Sequence, residues 1–318
     1  MKILVTGGAG FVGSHLVEEL LKRGHEVRVL VHYNTKKIDH LKTEIEIERG
    51  DVRFPDECKE AAKGVDAIAH LAALIHVDRS MIYPKMFWET NVKGTLNMLQ
   101  ACREEDARFL HMSTCEVLGN IPQEKADEQY PFKQPRSPYA ASKYAAECYC
   151  HSYYATYEIP INIARCFNIF GPRQKYGAKG AVTSIFANQV LNGKNPTIYG
   201  SGDQTRDYTD VRDIARALAD MLTSESVEGE LIHLCTGVER SVNEVADIVV
   251  DISGLNLKPV HIQKRSGELM RSVGDNSKAK RLLGWNPQIP FEETISDTIS
   301  YSRTCLKESY IRRERGEV

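Results

Sequence analysis

No apolar run in these 318 residues approaches the ~20 that a membrane-spanning helix requires, which excludes helical membrane insertion. Neither sign of charge is in excess. Lys and Arg number 41 against 43 Asp and Glu, a net −2, so there is no electrostatic footprint for nucleic acid or an anionic membrane. The eight cysteines include no Cys-x-x-Cys pair and no metal-ligand spacing. They read as reduced, small hydrophobes, and no metal site is expected. Internal repeats and low-complexity linkers are also missing. Met1-Lys2-Ile3-Leu4-Val5 is too short for a signal-peptide core and reads as a first strand, which sets a cytoplasmic expectation.

What is present is an alternation of strand and helix patterns. Strands are expected at Lys2 to Val5, Glu26 to Val31, Glu46 to Glu48, Ala67 to Leu71, Arg108 to Ser113 and Ile161 to Cys166. Helices are expected at Ser14 to Arg23, Phe87 to Arg103 and Tyr139 to Tyr157. Such alternation predicts an α/β fold, a Rossmann-type doubly wound parallel sheet with a crevice at the strands' carboxyl ends. After Cys166 the pattern loosens, with helices at Val182 to Leu191 and Val211 to Leu222 and a returning strand at Leu231 to Cys235. The expected division is residues 1–166 plus about 211–236 for a dinucleotide. Residues 167–210 plus about 237–318 form a smaller, interleaved C-terminal lobe for substrate.

Gly7, Gly10 and Gly13 join the first strand to the first helix, with Phe11 and Val12 between the last two. Glycines there allow a tight turn and close approach to a pyrophosphate, whose charge the helix N-terminus stabilises. An acid at the end of the second strand would bind the ribose hydroxyls of NAD. Here the run is Val31-His32-Tyr33-Asn34, so NADP stays open beside NAD. Lys36 and Lys37 read as a solvated loop or as a phosphate clamp. Asp51-Val52 suits the adenine edge, and Leu71-Ala72-Ala73 passes close to the cofactor.

Tyr139 lies four residues before Lys143, one helical turn away on the same face. A nearby ammonium favours the tyrosinate, which then takes a proton from a substrate hydroxyl. Upstream, Thr114 would hold that hydroxyl, and Glu116 adds a carboxylate that plain alcohol oxidation does not need.

Together with His70 to Ala73, Asn91-Val92-Lys93-Gly94-Thr95, Phe167-Asn168, Gly171-Pro172-Arg173, Arg206-Asp207-Tyr208, Arg271 and Lys280 to Trp285, these motifs resemble an extended short-chain dehydrogenase/reductase of the nucleotide-sugar epimerase/dehydratase branch. The resemblance spans nearly the whole chain. It implies that Tyr139 is the base on the sugar 4-hydroxyl, that Thr114 bonds the same hydroxyl and that Lys143 holds the nicotinamide ribose. It further implies that Asn91 and Phe167 support the cofactor, and that Asn168, Arg206 and Arg271 bind the nucleotide-sugar, the arginines at its diphosphate. A homodimer through the helices near 87–103 and 139–157 is implied as well.

Dehydratases of this kind commonly read Thr-Asp-Glu where this chain has Thr114-Cys115-Glu116. Their Asp protonates the leaving C6 hydroxyl and their Glu removes the C5 proton. Cys115 is then either the proton donor or a spacer, with Glu116 or a water making both transfers. The segment Leu74 to Val77, with Lys133 to Pro138, is similar to dehydratases of N-acetylhexosamine nucleotides. A polar loop over the site is expected between Asn120 and Pro135. The expected activity is 4,6-dehydration, with oxidation at C4, proton removal at C5, loss of water from C6 and hydride return. 5,6-Dehydration stays open. The alternatives are a 4-epimerase, a decarboxylase and, outside enzymes, a cofactor-binding regulator.

Overall fold

The structure, a computed structural model, describes residues 1–122, 124–131, 135–175, 177, 180–264 and 269–314. The chain runs β1 (Lys2–Thr6), α1 (Phe11–Lys22), β2 (Glu26–Val31), β3 (Glu46–Arg49), α2 (Pro55–Ala62), β4 (Ala67–His70), α3 (Val77–Ile82), α4 (Pro84–Phe87), α5 (Gly94–Glu104), β5 (Arg108–Thr114), α6 (Pro138–Tyr157) and β6 (Ile161–Cys166). Then come β7 (Ile169–Phe170), α7 (Val182–Leu191), β8 (Thr197–Tyr199), β9 (Thr205–Asp207), β10 (Thr209–Asp210) and α8 (Val211–Thr223). Last are β11 (Leu231–Leu234), β12 (Glu239–Ser241), α9 (Val242–Ser253), β13 (Val260–Ile262), β14 (Arg271–Ser272), α10 (Ser277–Leu283) and α11 (Phe291–Glu314).

Seven strands form one parallel sheet in the order β11-β6-β5-β4-β1-β2-β3. Their sequences explain the arrangement. Ile3, Leu4 and Val5 in β1, and all six residues of β6, are buried, as strands covered by helices on both faces must be. One face packs on α1 and α8 through Leu16, Leu20, Ile214 and Leu218; the other packs on α2, α5 and α6 through Cys58, Met98, Leu99 and Cys150. The strand order reverses at β1, which pairs with β2 on one side and β4 on the other. A crevice opens outside the carboxyl ends of these strands.

The late strand returns as expected, Leu231–Leu234 pairing with Ile163–Cys166. Elsewhere after Cys166 the strands form small separate sheets, β10-β7, β12-β9-β14 and β13-β8. Their core is Phe170, Phe186, Val245 and Ile295, while Ala279 and Trp285 join the core of the large sheet.

Two local features differ from expectation. The helix expected over Phe87 to Arg103 is interrupted by a π-helical stretch, Trp88–Lys93, before α5 begins. Asn91 turns its side chain inward there, and Thr95 Oγ1 donates 2.6 Å to its carbonyl. The short α2 carried start signals, Pro55 at its first position with Asp56 and Glu57 following, but too few apolar residues to show a period.

Candidate active site

A cleft of about 700 Å³ lies at the reversal point, a size suited to a small-molecule ligand. Its floor is the turn after β1. Gly7 has φ +71°, and a Cβ there would sit 2.9 Å from the Ala72 nitrogen. A Cβ on Gly13 would come within 2.2 Å of the Gly7 carbonyl oxygen. Gly10 donates to that same oxygen at 2.8 Å and leads into α1, whose start has no side-chain cap and no acid in its first turn. Such a bare helix start behind a side-chain-free turn fits a diphosphate. Phe11, Val12, Leu71, Ala72 and Ala73 line the same cleft. Thr6 braces it, accepting from the Ala72 nitrogen at 3.1 Å and bonding His70 Nδ1 at 2.8 Å.

His32, Asp51 and Val52 form the far end of the cleft. Asp51 accepts from Arg53 Nε at 2.8 Å and faces His32 Nε2 at 3.1 Å. Burial works against its charge, but the Arg53 hydrogen bonds outweigh it and hold the carboxyl below its usual range. Neither lysine of the following loop lines the cleft. Lys36 pairs with Glu308 of α11, and Lys37 is partly buried.

Three elements assemble the chemical end. β5 delivers Thr114, which caps a 3₁₀ turn over Cys115–Leu118 by accepting from the Glu116 nitrogen at 3.3 Å. Ser137 caps α6 by accepting from the Ala140 nitrogen at 3.1 Å, with Pro138 at the first helical position. That start places Tyr139 in the first turn, where its phenol is hydrogen-bonded to Thr114. Thr114, Cys115, Glu116 and Tyr139 all line the cleft.

Burial sets the charge states here. It pushes the Tyr139 phenol up, against the Thr114 hydrogen bond, and Glu116 and Cys115 push the same way. The Lys143 ammonium is not among the main causes of that shift. Lys143 points elsewhere, donating to the Met112 carbonyl at 2.6 Å and facing His111 Nε2 at 3.2 Å. It is 4% exposed and is not part of the cleft wall. Burial lowers its pKa to about 8, with Glu147 opposing. Burial also raises the Glu116 carboxyl, with Arg206 opposing. The Cys115 thiol is pushed up to about 12 by burial and then by Glu116, while a Ser272 hydrogen bond and Arg206 work the other way.

Phe167 and Asn168 line the cleft; Asn168 Nδ2 donates to the Asp207 carbonyl at 3.0 Å. Asn91 lies behind it. Its amide bonds both the nitrogen and the carbonyl of Leu74 and the Ser142 hydroxyl, tying the cleft-lining loop to α6. Arg206 and Arg271 sit on neighbouring strands β9 and β14, outside the wall. Arg206 turns its charge toward Glu116 and Cys115. Arg271 holds Glu239 at 2.9 Å and donates to the Ile121 and Glu124 carbonyls at 3.1 and 2.9 Å. The described part of the polar loop is hydrogen-bonded along β14 and just past its end, Ile121 to Arg271 and Ala126 to Val273. Lys133 and Gln134 lie outside the described residues.

Sequence reasoning missed Ser272, Arg53 and His111. Arg53 stood two residues from Asp51 and was findable as a charge pair. Ser272 and His111 carried no local signal, since each matters only through a residue far away in the chain.

A family model described as GDP-mannose 4,6 dehydratase matches residues 4–298. The UDP-glucose 4-epimerase of Mycolicibacterium smegmatis is 34% identical over 311 residues, covering 95% of this chain and 99% of that protein. The dTDP-glucose 4,6-dehydratase of Streptomyces niveus is 34% identical over 318 residues, covering 95% and 93%. The solved UDP-glucose 4-epimerase of Thermus thermophilus in complex with NAD is 35% identical with a TM-score of 0.87, covering 95% of this chain and 99% of that one. With the glycine turn, the Tyr139–Lys143 helix and the Rossmann-type sheet, these matches show that the chain belongs to the extended short-chain dehydrogenase/reductase family of nucleotide-sugar epimerases and dehydratases.

Proposed function

We propose that this enzyme is a nucleotide-sugar dehydratase; the resemblance of Leu74 to Val77 makes an N-acetylhexosamine nucleotide the first substrate class to test. Glu116 carries the reading: a carboxyl in the cleft wall, beside the Thr114–Tyr139 pair, with its pKa raised by burial. C4 epimerisation has no proton for such a group to move. Dehydration does, at C5.

Tyr139 is the acceptor of the sugar 4-hydroxyl proton as C4 is oxidised; burial raises its phenol, and the Thr114 hydrogen bond is the contribution that favours the tyrosinate this step requires. When bound, a nicotinamide dinucleotide supplies the reversible hydride acceptor. The C4 ketone acidifies the hydrogen on C5, and Glu116 removes it. Cys115 gives a proton to the hydroxyl leaving C6. With a pKa of about 12 the thiol is protonated at neutral pH, yet it remains more acidic by about 4 units than bulk water.

Proton balance separates two outcomes. If C6 is reduced, Glu116 returns its proton to C5. Tyr139 then keeps the 4-hydroxyl proton, Cys115 is one proton short, and the product is a 4-keto-6-deoxy sugar. If C4 is reduced, Tyr139 gives its proton back. The surplus then lies on Glu116, next to Cys115 in the chain, and the product is a 5,6-unsaturated sugar. The 4,6 outcome is the one adopted; the adjacency of Glu116 and Cys115 favours the 5,6 outcome as the second reading.

Gly7, Gly10 and Gly13 would hold the pyrophosphate, and His32, Asp51 and Val52 the adenosine end. NAD is the cofactor carried over from the Thermus thermophilus complex. Residues 1–166 with 211–236 serve the dinucleotide, and 167–210 with 237–318 the nucleotide-sugar; Asn168 lines the cleft as a ligand, and Arg206 and Arg271 would have to turn toward it from β9 and β14 to reach the diphosphate. Trp88, Tyr149, Tyr154 and Tyr157, all exposed, support a homodimer through the helices near 87–103 and 139–157.

The test is a panel of UDP-, dTDP- and GDP-sugars, beginning with UDP-N-acetylglucosamine and read by mass and NMR. Loss of one water with a C4 ketone supports 4,6-dehydration. Loss of water with the C4 hydroxyl intact moves the reading to 5,6. An isomer of unchanged mass makes the protein an epimerase.

A further inference from the structure

We propose that His111 is a positioning residue for Lys143: its Nε2 accepts a hydrogen bond from the ammonium and, with the Met112 carbonyl, fixes where that charge sits behind the cleft. The two residues come from different elements, β5 and α6, and meet in the interior, His111 being 0% exposed.

The tautomer follows from the partners. An ammonium has only hydrogens to offer. Facing Lys143 at 3.2 Å, His111 Nε2 must therefore be the bare nitrogen, and the ring proton sits on Nδ1. Nδ1 is buried and has no hydrogen-bond partner among the described residues. His70 of β4 lies stacked beside this ring, centroids 5.8 Å apart, and cannot relieve it. Both nitrogens of His70 are engaged, by Thr6 at 2.8 Å and Thr95 at 3.1 Å. The fold thus leaves a buried N–H without a partner among the described residues while keeping the opposite nitrogen on Lys143. That cost makes sense if the Lys143 contact is what the ring provides.

The ammonium's other neighbours complete the account. From α6 they are Glu147 and Cys150; from β6, Cys166; from β4, His70. Glu147 is the only carboxylate among them, and its oxygens are engaged by Arg165 at 2.6 and 2.9 Å. Nearby negative charge is therefore shared, and direct acceptance falls to His111 and Met112. They take two hydrogens of the ammonium, the two hydrogen bonds it makes among the described residues.

The proposal rests on Lys143 being the ammonium of the oxidation site. Its test uses no sugar nucleotide, so it fails separately from the dehydratase reading. The protein is labelled with ¹³C at lysine Cε, and the Lys143 signal, assigned by its loss in Lys143→Met, is followed against pH. The wild-type signal should titrate near about 8. In His111→Phe the midpoint should fall by about one unit, because a buried ammonium has lost an acceptor. In His111→Gln, whose amide oxygen restores one, it should return close to the wild-type value. An unmoved midpoint in a folded His111→Phe protein overturns the proposal, as does a Gln variant that behaves like Phe. If His111→Phe does not fold, long-range ¹H–¹⁵N spectra of the wild type decide at neutral pH. A neutral ring protonated on Nδ1 is the expected result, and protonation on Nε2 overturns it.

Discussion

Replacing Glu116 by Gln keeps the shape of the side chain and removes its ability to take a proton. The structure gives this change two opposite consequences. A positioned general base contributes about 10²–10⁴-fold, so dehydration should slow by that factor, roughly 3–5 kcal/mol of barrier. Stability should not suffer. Burial raises the Glu116 pKa in the folded chain, so its contribution to stability is present below the unfolded carboxylate range and is lost as pH rises through the folded value. Above that point the buried charge is a cost, and Gln removes it. Glu116→Gln should therefore melt at the same temperature as the wild type or higher at pH 8, while the advantage fades in acid. Tyr139 and Cys115 should also titrate lower, since Glu116 raises both. The assay runs the sugar-nucleotide panel in deuterated water. Oxidation at C4 should continue, seen as the near-ultraviolet band of reduced nicotinamide, while deuterium incorporation at C5 and water loss both collapse. If water loss stays within about tenfold of wild type, the C5 base lies elsewhere and the reasoning is refuted.

Gly13→Ala puts a Cβ 2.2 Å from the Gly7 carbonyl; it should weaken NAD binding at least tenfold by calorimetry, and unchanged binding would mean the turn is not the diphosphate cradle. Cys115→Ala should slow water loss roughly 10²-fold with C5 exchange retained, if the thiol is the C6 acid. A rate like wild type would instead make Cys115 a spacer. In the wild type, iodoacetamide should leave Cys115 unmodified at pH 8, as judged by peptide mass, because the thiolate forms only near pH 12. Glu147→Gln leaves Arg165 charged and nearly buried, and urea unfolding should show a loss of about 3–5 kcal/mol.

The sheet was legible because its strands are short apolar runs separated by helical periods, and every expected strand of the large sheet is found. The glycine turn was legible because a βα junction, a tight turn and a bare helix start occupy consecutive residues. Thr114, Cys115, Glu116 and Tyr139 were legible as neighbours in two short motifs. The π-helical stretch was not, since the register of Trp88–Lys93 depends on where the Asn91 side chain finds Leu74 and Ser142. Nor was the tie made by Arg271. Its partners are a loop some 150 positions earlier and Glu239, which no spacing rule connects.

By itself the sequence determined the family, the position of the crevice and part of its lining, the glycine turn with Thr114, Cys115, Glu116 and Tyr139. These follow from local periodicity and from motifs whose members are close in the chain, whereas Asn91, Lys143, Arg206 and Arg271 lie outside the wall. Only the tertiary structure decided the charge those side chains carry and where they point. A pKa in this site is governed by desolvation, and desolvation depends on what packs around a group from distant segments. That is why Tyr139 is raised rather than lowered, why Glu116 and Cys115 hold their protons more tightly than free groups, and why Lys143 answers to His111.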